Sequence, residues 1–195
     1  MEILNTNLKE KNIILGSQSP RRSDLLKSMG LNFTIKINKT LETYPKNLTP
    51  IQTAVYLSNK KAQSYSIKNN DLLICADTIV YLKKIILEKP KSIEDAYLML
   101  KKLSNKEHKV VTGVTIKTTK NSISFYDLTT VFFNKLSNNE INYYINHFNS
   151  LDKAGGYGIQ EWIGIIGIRK ISGSFYNVMG LPTNKLYKYL TRIST

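Results

Sequence analysis

Leu72-Leu73-Ile74-Cys75-Ala76 is a continuous apolar run that ends directly on Asp77-Thr78. A run with no polar alternation has no face to give to water, so it reads as a strand buried on both sides inside a sheet covered by helices. The polar pair follows where α/β sheets tend to carry ligand and catalytic groups, at the carboxyl end of a strand. Upstream, Ile13-Ile14-Leu15 is a shorter run of the same kind that stops at Gly16-Ser17-Gln18-Ser19. Pro20 then opens a helix with Leu25, Leu26 and Met29 on one face, and Gly30 is a left-handed stop. Residues 33–37 alternate as a strand. Thr49, Pro50 and Gln52 supply a cap, a first-turn proline and the return partner of a capping box, which predicts a helix reaching about Lys68.

Downstream, residues 79–82 and 85–87 predict a hairpin about Lys83-Lys84. Ser92 and Asp95 start a helix carrying Ile93, Ala96, Leu100 and Leu103 inward. Residues 109–118 and 122–133 read as two long strands joined at Lys120-Asn121. Ser137 and Glu140 make a second capping box, for a helix burying Ile141, Tyr144, Ile145 and Phe148. Residues 162–171 are strand-like, and residues 183–192 close the chain as a helix. Strands interspersed with helices, including a long antiparallel pair, define an α/β fold with a mixed sheet. At 195 residues against a usual domain of ~150, residues 1–195 are expected to form one domain or two closely joined lobes, with no linker and no internal repeat.

Composition narrows the function. A chain that is 42% hydrophobic and 10% aromatic is neither wholly disordered nor collagen-like. One cysteine, Cys75, cannot pair within the chain, and His108 and His147 alone make no zinc-finger spacing. The net charge of +14 favours a polyanionic partner such as nucleic acid, nucleotide phosphates or an anionic membrane, and equally suits a solvated lysine-rich surface. No segment reaches the ~18–20 apolar residues of a membrane span, and no signal segment opens the chain, which predicts a cytoplasmic protein.

Four segments hold residue types suited to chemistry. Gly16-Ser17-Gln18-Ser19-Pro20-Arg21-Arg22 is a strand-to-helix turn with Ser19 at the N-cap and two arginines in the first turn. Cations there oppose the helix dipole, and a bound anion would relieve the conflict. Ser17, Ser19 and the guanidinium forks are the donors a phosphate needs; a capped helix with solvated arginines is the plain alternative. Asp77 is a catalytic carboxylate, or else an Asx turn or helix cap. Lys89-Pro90 is a phosphate-binding lysine or merely a turn. Asp152-Lys153-Ala154-Gly155-Gly156-Tyr157-Gly158-Ile159-Gln160 packs glycines so densely that its backbone must bend sharply or approach a ligand closely, unless it is a structural loop.

In type and order these segments, closed by Asn177-Val178-Met179-Gly180-Leu181-Pro182, resemble the Maf family of nucleoside triphosphate pyrophosphatases, from about Ile13 to the last helix. The resemblance implies an ITPase-like α/β fold, a mixed, twisted sheet flanked by helices in two lobes with the active-site cleft between them. It implies Asp77 as proton acceptor and metal-site carboxylate, with Glu42 as a second carboxylate near the ion. It places Arg21, Thr78 and Gln160 at positions that select substrate, and Ser17, Arg22, Lys61 and Lys89 in the phosphate-facing set. The Arg21-Arg22 and Asp77-Thr78 pairs and the ending at Gln160 look like the branch that acts on dTTP and UTP. Three positions depart from the pattern: Gly16 stands where Ala is usual, Leu41 replaces an acid before Glu42, and Glu88 replaces a Gly before Lys89.

Cleavage between the α and β phosphates needs a water aimed at the α phosphorus, a base, and cations around the departing pyrophosphate. Asp77 suits either proton removal or metal binding, and the sequence does not separate these roles. With only oxygen ligands on offer, the implied cofactor is a divalent cation, magnesium or manganese. Gln160 has one donor and one acceptor on a planar amide, matching a pyrimidine edge. The expected partners are the nucleoside triphosphate substrate and, as in similar family members, a second copy in a homodimer; no membrane is expected. The alternatives are a basic nucleic-acid-binding protein, for which no motif is present and only weak nonspecific binding is expected, and a non-enzymatic division regulator, raised only by the family's older link to septum formation.

Overall fold

The computed structural model describes Leu4 and residues 8–193. In chain order its elements are β1 (Asn12–Leu15), α1 (Pro20–Ser28), β2 (Thr34–Ile35), α2 (Pro50–Gln63), β3 (Asp71–Leu82), β4 (Ile85–Leu87), α3 (Ile93–Leu103), β5 (Glu107–Lys117), β6 (Ser122–Phe133), α4 (Asn138–His147), a 3-10 turn (Ala154–Gly156), α5 (Trp162–Gly167), β7 (Ile168–Ser172), α6 (Phe175–Met179) and α7 (Thr183–Leu190). The strand order is β2-β1-β3-β5-β6-β7, with β4 paired to β3. β1 runs parallel to β2 and β3, whereas β4 on β3 and β7 on β6 are antiparallel, so the sheet is mixed.

The chain divides into two compact units, one built from Met1–Asp77, Thr112–Asp127 and Gly180–Thr195 and the other from Thr78–Val111 and Leu128–Met179. In the first, Ile14, Leu73 and Cys75 pack with Ala62 and Tyr65, which follow one another near the end of α2 and just past it. Gly113 lets β5 approach α2 closely, since a Cβ there would fall 2.3 Å from the Ala54 carbonyl oxygen. The Ser58 hydroxyl donates to the Val55 carbonyl (2.9 Å) and is hydrogen-bonded to the Thr115 hydroxyl (3.0 Å), which also bonds Ser124 (2.8 Å), so the hydroxyls that this contact buries are satisfied.

In the second unit, Ala96, Leu100 and Leu103 of α3 meet Ile141, Tyr144 and Ile145 of α4 around Val110, Val131 and Phe133. Tyr157, Ile159 and Ile163, from the glycine-rich segment and α5, complete that core. His108 lies inside it, 2.7 Å from the Tyr157 hydroxyl and edge-on to Phe133. Burial pushes its pKa down to about 4, which makes it a neutral core histidine.

Both capping boxes form, at Thr49/Gln52 and Ser137/Glu140. Gly30 takes φ +75°, and Lys83 turns the β3–β4 hairpin at φ +57°. Several expectations are corrected. The strand at 33–37 shrinks to Thr34–Ile35, both exposed, because no layer covers its alternating residues. α2 ends at Gln63 rather than near Lys68, since Tyr65 turns inward, where its hydroxyl donates to the Lys36 carbonyl (2.9 Å) and accepts from the Asn38 amide (3.0 Å). Asp77 does not end its strand: β3 continues to Leu82, paired with β4, so Asp77 is a mid-strand residue.

Ile93 is 41% exposed as the first residue of its helix, and Phe148, just past α4, is only half-buried. Residues 162–171 are not one strand but a helical turn and a half followed by β7. A short apolar run has no decisive period, and here Gly164 permits the helix: a Cβ would lie 1.9 Å from the Ile159 carbonyl oxygen. Among the described residues no helix is long and apolar enough to cross a membrane.

Candidate active site

The Gly16-to-Arg22 turn leaves the sheet where the Gly16 amide makes a last bond to the Ile74 carbonyl (2.9 Å). Gly16, the departure from the usual Ala, has a local cause. A Cβ on it would meet Cys75 Sγ at 2.5 Å and the Tyr65 ring at 3.2 Å. Ser19 occupies the N-cap position, but its side chain makes no capping bond. Ser17 holds the turn instead: its Oγ accepts from the Ser19 amide (3.2 Å) and from Arg22 Nη1 (3.1 Å). Arg22 Nε also donates to the Gly180 carbonyl (2.8 Å), so this guanidinium is tethered at two points rather than solvated. Burial lowers the Arg22 pKa, and Asp77 opposes that shift; an arginine remains cationic throughout.

Lys61, on the last turn of α2, reaches two carboxylates at once, Asp77 Oδ1 at 2.5 Å and Glu42 Oε1 at 2.6 Å. Asp77 is 6% exposed, whereas half of the Glu42 side chain is open to water. Burial raises the Asp77 pKa above the usual carboxylate range; Lys61 and Arg22 counter this shift and Glu42 adds to it. A carboxylate with a raised pKa is a better proton acceptor than an ordinary one. Lys61, expected among the phosphate-facing residues, therefore spends its charge on the two candidate metal-site carboxylates.

The same geometry bears on the divalent cation. Two oxygens within 2.6 Å of one nitrogen show that both carboxylates converge on a single cationic centre. Among the described residues there is no group of three His, Cys, Asp or Glu side chains able to hold a metal. Leu41, 79% exposed, adds no third carboxylate. This donor set fits a magnesium-type ion, which binds through one or two carboxylates together with substrate phosphates and waters.

Thr78, Lys89 and Gln160 belong to the second unit. There the glycine-rich segment lies against the Lys89-Pro90 turn. Gly155 (φ +73°) donates its amide to the Glu88 carbonyl (3.2 Å), and a Cβ on Gly156 (φ +75°) would touch Pro90 at 3.4 Å. Glu88 takes part through its backbone with its side chain exposed, so a residue other than glycine is tolerated at this position. Lys89 and Gln160 are exposed, and Thr78 is half-buried.

One group escaped the sequence reading. Lys153, 5% exposed, pairs with Glu161 (2.9 Å) and Asp152 (2.8 Å) and donates to the Asn149 carbonyl. The Tyr144 hydroxyl donates to Glu161 and accepts from the Gly158 amide at 3.0 Å. The available signal was a lysine inside a glycine-rich segment with an acid just beyond it, since a lysine held there among apolar residues needs a counter-charge.

Ser17, Arg22, Glu42, Lys61 and Asp77 thus form one connected cluster on a mixed-sheet α/β scaffold. Two solved structures share the fold. The Staphylococcus aureus Ham1 protein is 17% identical, with 94% of this chain and 100% of that chain covered and a TM-score of 0.52. A HAM1 protein from Coxiella burnetii is 12% identical, with 93% and 99% covered and the same TM-score. The family model for Maf-like protein matches residues 12–193, and the chain belongs to that family. Among its relatives, the dTTP/UTP pyrophosphatase of Cytophaga hutchinsonii is 49% identical over 188 residues (96% of this chain, 86% of the relative). That of Flavobacterium psychrophilum is 44% identical over 190 residues (96% and 97%).

Proposed function

We propose that this chain is a hydrolase that cleaves dTTP and UTP to the monophosphate and pyrophosphate. The observation that carries the reading is Asp77, buried, raised in pKa and shared with Glu42 on the Lys61 ammonium. The names of the relatives, together with Arg21, Thr78 and Gln160 in the positions quoted above, support the choice of nucleotides.

In this reading Asp77 accepts a proton from the water that attacks the α phosphorus. The new P–O bond forms as the bond from that phosphorus to the αβ bridging oxygen breaks, and pyrophosphate leaves with the electron pair. Arg21, Arg22, Ser17 and Lys89 bind the phosphate chain, where fixed positive charge contributes most to the barrier reduction. Lys61 favours the ionised form of Asp77 against the effect of burial. Glu42 and Asp77 are the residues that would hold magnesium or manganese, whose chemistry when bound is to neutralise phosphate charge. Gln160 meets the pyrimidine edge, and Thr78 the selectivity side of the same substrate. A homodimer and a cytoplasmic setting complete the proposal.

The test is a panel of triphosphates incubated with purified protein, with and without magnesium, reading pyrophosphate and orthophosphate separately. Pyrophosphate from dTTP and UTP, with little from purine triphosphates, is expected. Orthophosphate with a diphosphate would place attack at the γ phosphorus and overturn the mechanism.

A further inference from the structure

Gln160 is exposed, yet the residues on both sides of it are pinned. Two positions before it, the Gly158 amide donates to the Tyr144 hydroxyl at 3.0 Å. One position after it, the Glu161 carboxylate accepts from that same hydroxyl and from Lys153 Nζ at 2.9 Å. The carboxylate closes over the backbone so tightly that a Cβ at Gly158 would lie 2.7 Å from Glu161 Cδ. On the far side, α5 presses against the Ile159 carbonyl through Gly164. The anchor points are buried and multiply bonded: Tyr144 is 0% and Lys153 5% exposed, and Lys153 is further tied to Asp152 and to the Asn149 carbonyl. Burial and Glu161 push the Tyr144 pKa up, so the hydroxyl stays protonated and keeps donating.

We propose that Lys153, Glu161 and Tyr144 form a positioning relay that fixes the backbone on either side of Gln160, and so sets discrimination between nucleotide bases without touching the substrate. The proposal rests on the substrate reading above, in which Gln160 meets the base. A buried lysine has no packing reason to be there, because an apolar side chain would fill the same space without a counter-charge. Holding a short specificity segment to a fraction of an ångström is a use that accounts for it.

The test uses the full chain carrying Glu161→Gln, which keeps shape and removes the charge facing Lys153, and separately Tyr144→Phe, which deletes the hydroxyl joining Gly158 to Glu161. kcat and KM are measured for UTP, dTTP, CTP and GTP in magnesium, each in the natural background and with Gln160→Ala. Circular dichroism identifies folded variants, and Tyr144→Phe serves if Glu161→Gln does not fold. The expected result is a UTP-over-CTP ratio reduced about tenfold, the size of one well-placed hydrogen bond. The change should appear mainly as a raised KM for UTP and shrink below about twofold once Gln160 is already Ala, because coupled residues are non-additive.

An equal slowing of all four substrates, or the same effect with and without Gln160, overturns the relay and leaves a merely structural ion pair. If the unaltered protein does not prefer UTP and dTTP, the substrate reading itself fails and the relay falls with it. A discriminating protein whose variants keep their ratio defeats the relay alone.

Discussion

Asp77→Asn tests the chemical centre with the least structural damage. The substitution keeps size and planarity while removing the charge that a base or a metal ligand must carry. Two opposing effects set the expected stability. Asp77 is 6% exposed, and its pKa is raised by burial, so in the folded protein its charged form is disfavoured relative to the unfolded chain. Asparagine carries no such penalty. Against this, Lys61 loses a partner at 2.5 Å, but it keeps Glu42 at 2.6 Å and is not left unpaired.

Removing one partner of a buried ion pair is strongly destabilising when it leaves the other charge uncompensated, and that cost is avoided here because Lys61 retains Glu42. At pH 7 the melting temperature should therefore stay within a few degrees or rise. The pH dependence has a definite sign. A carboxyl whose folded pKa exceeds its unfolded value binds more protons when folded across the interval between the two, so its contribution to stability falls as pH rises from the ordinary carboxylate pKa through the raised folded value. The variant lacks that fall, and its stability relative to the parent should improve from acid toward neutral pH. Activity behaves oppositely. Loss of the proton acceptor should lower kcat by at least ~100-fold, about 3 kcal/mol of barrier. Thermal melts from pH 4 to 8 and pyrophosphate release from UTP check both limbs. Turnover within a few-fold of the parent would reduce Asp77 to a structural partner of Lys61, and a variant unfolded at pH 7 would refute the electrostatic account.

Gly16→Ala forces a Cβ to within 2.5 Å of Cys75 Sγ and should cost ~1–3 kcal/mol in urea denaturation; combined with Cys75→Ala, the loss should be less than additive, because the closest clash is gone and only the 3.2 Å approach to the Tyr65 ring remains. Arg21→Ala should lower kcat/KM for every triphosphate, and by less in high salt, where screening already weakens phosphate attraction. Glu42→Gln should raise the magnesium concentration needed for half-maximal activity while leaving the UTP-over-CTP ratio unchanged, as read from magnesium titrations with both nucleotides.

Local rules determined much of this protein. The capping boxes at Thr49/Gln52 and Ser137/Glu140, the stop at Gly30, the hairpin at Lys83 and the buried run from Leu72 to Ala76 were legible because each depends on residues within about one turn of helix or a few positions of strand. The segments that hold the chemistry were legible for a similar reason, since glycines, paired arginines and a carboxylate directly after an apolar run are unusual in composition before they are arranged in space. Tertiary structure decided the rest. Lys61 joins Asp77 to Glu42, and Arg22 reaches Gly180 across 158 residues, contacts that exist only once distant segments are packed together. The end of α2 was set by a buried site for Tyr65, and the helix at Trp162 by burial of Ile163 in a core with Leu100, Val131 and Phe133. In each case short-range preferences were nearly balanced, and burial against residues far away in the chain broke the tie.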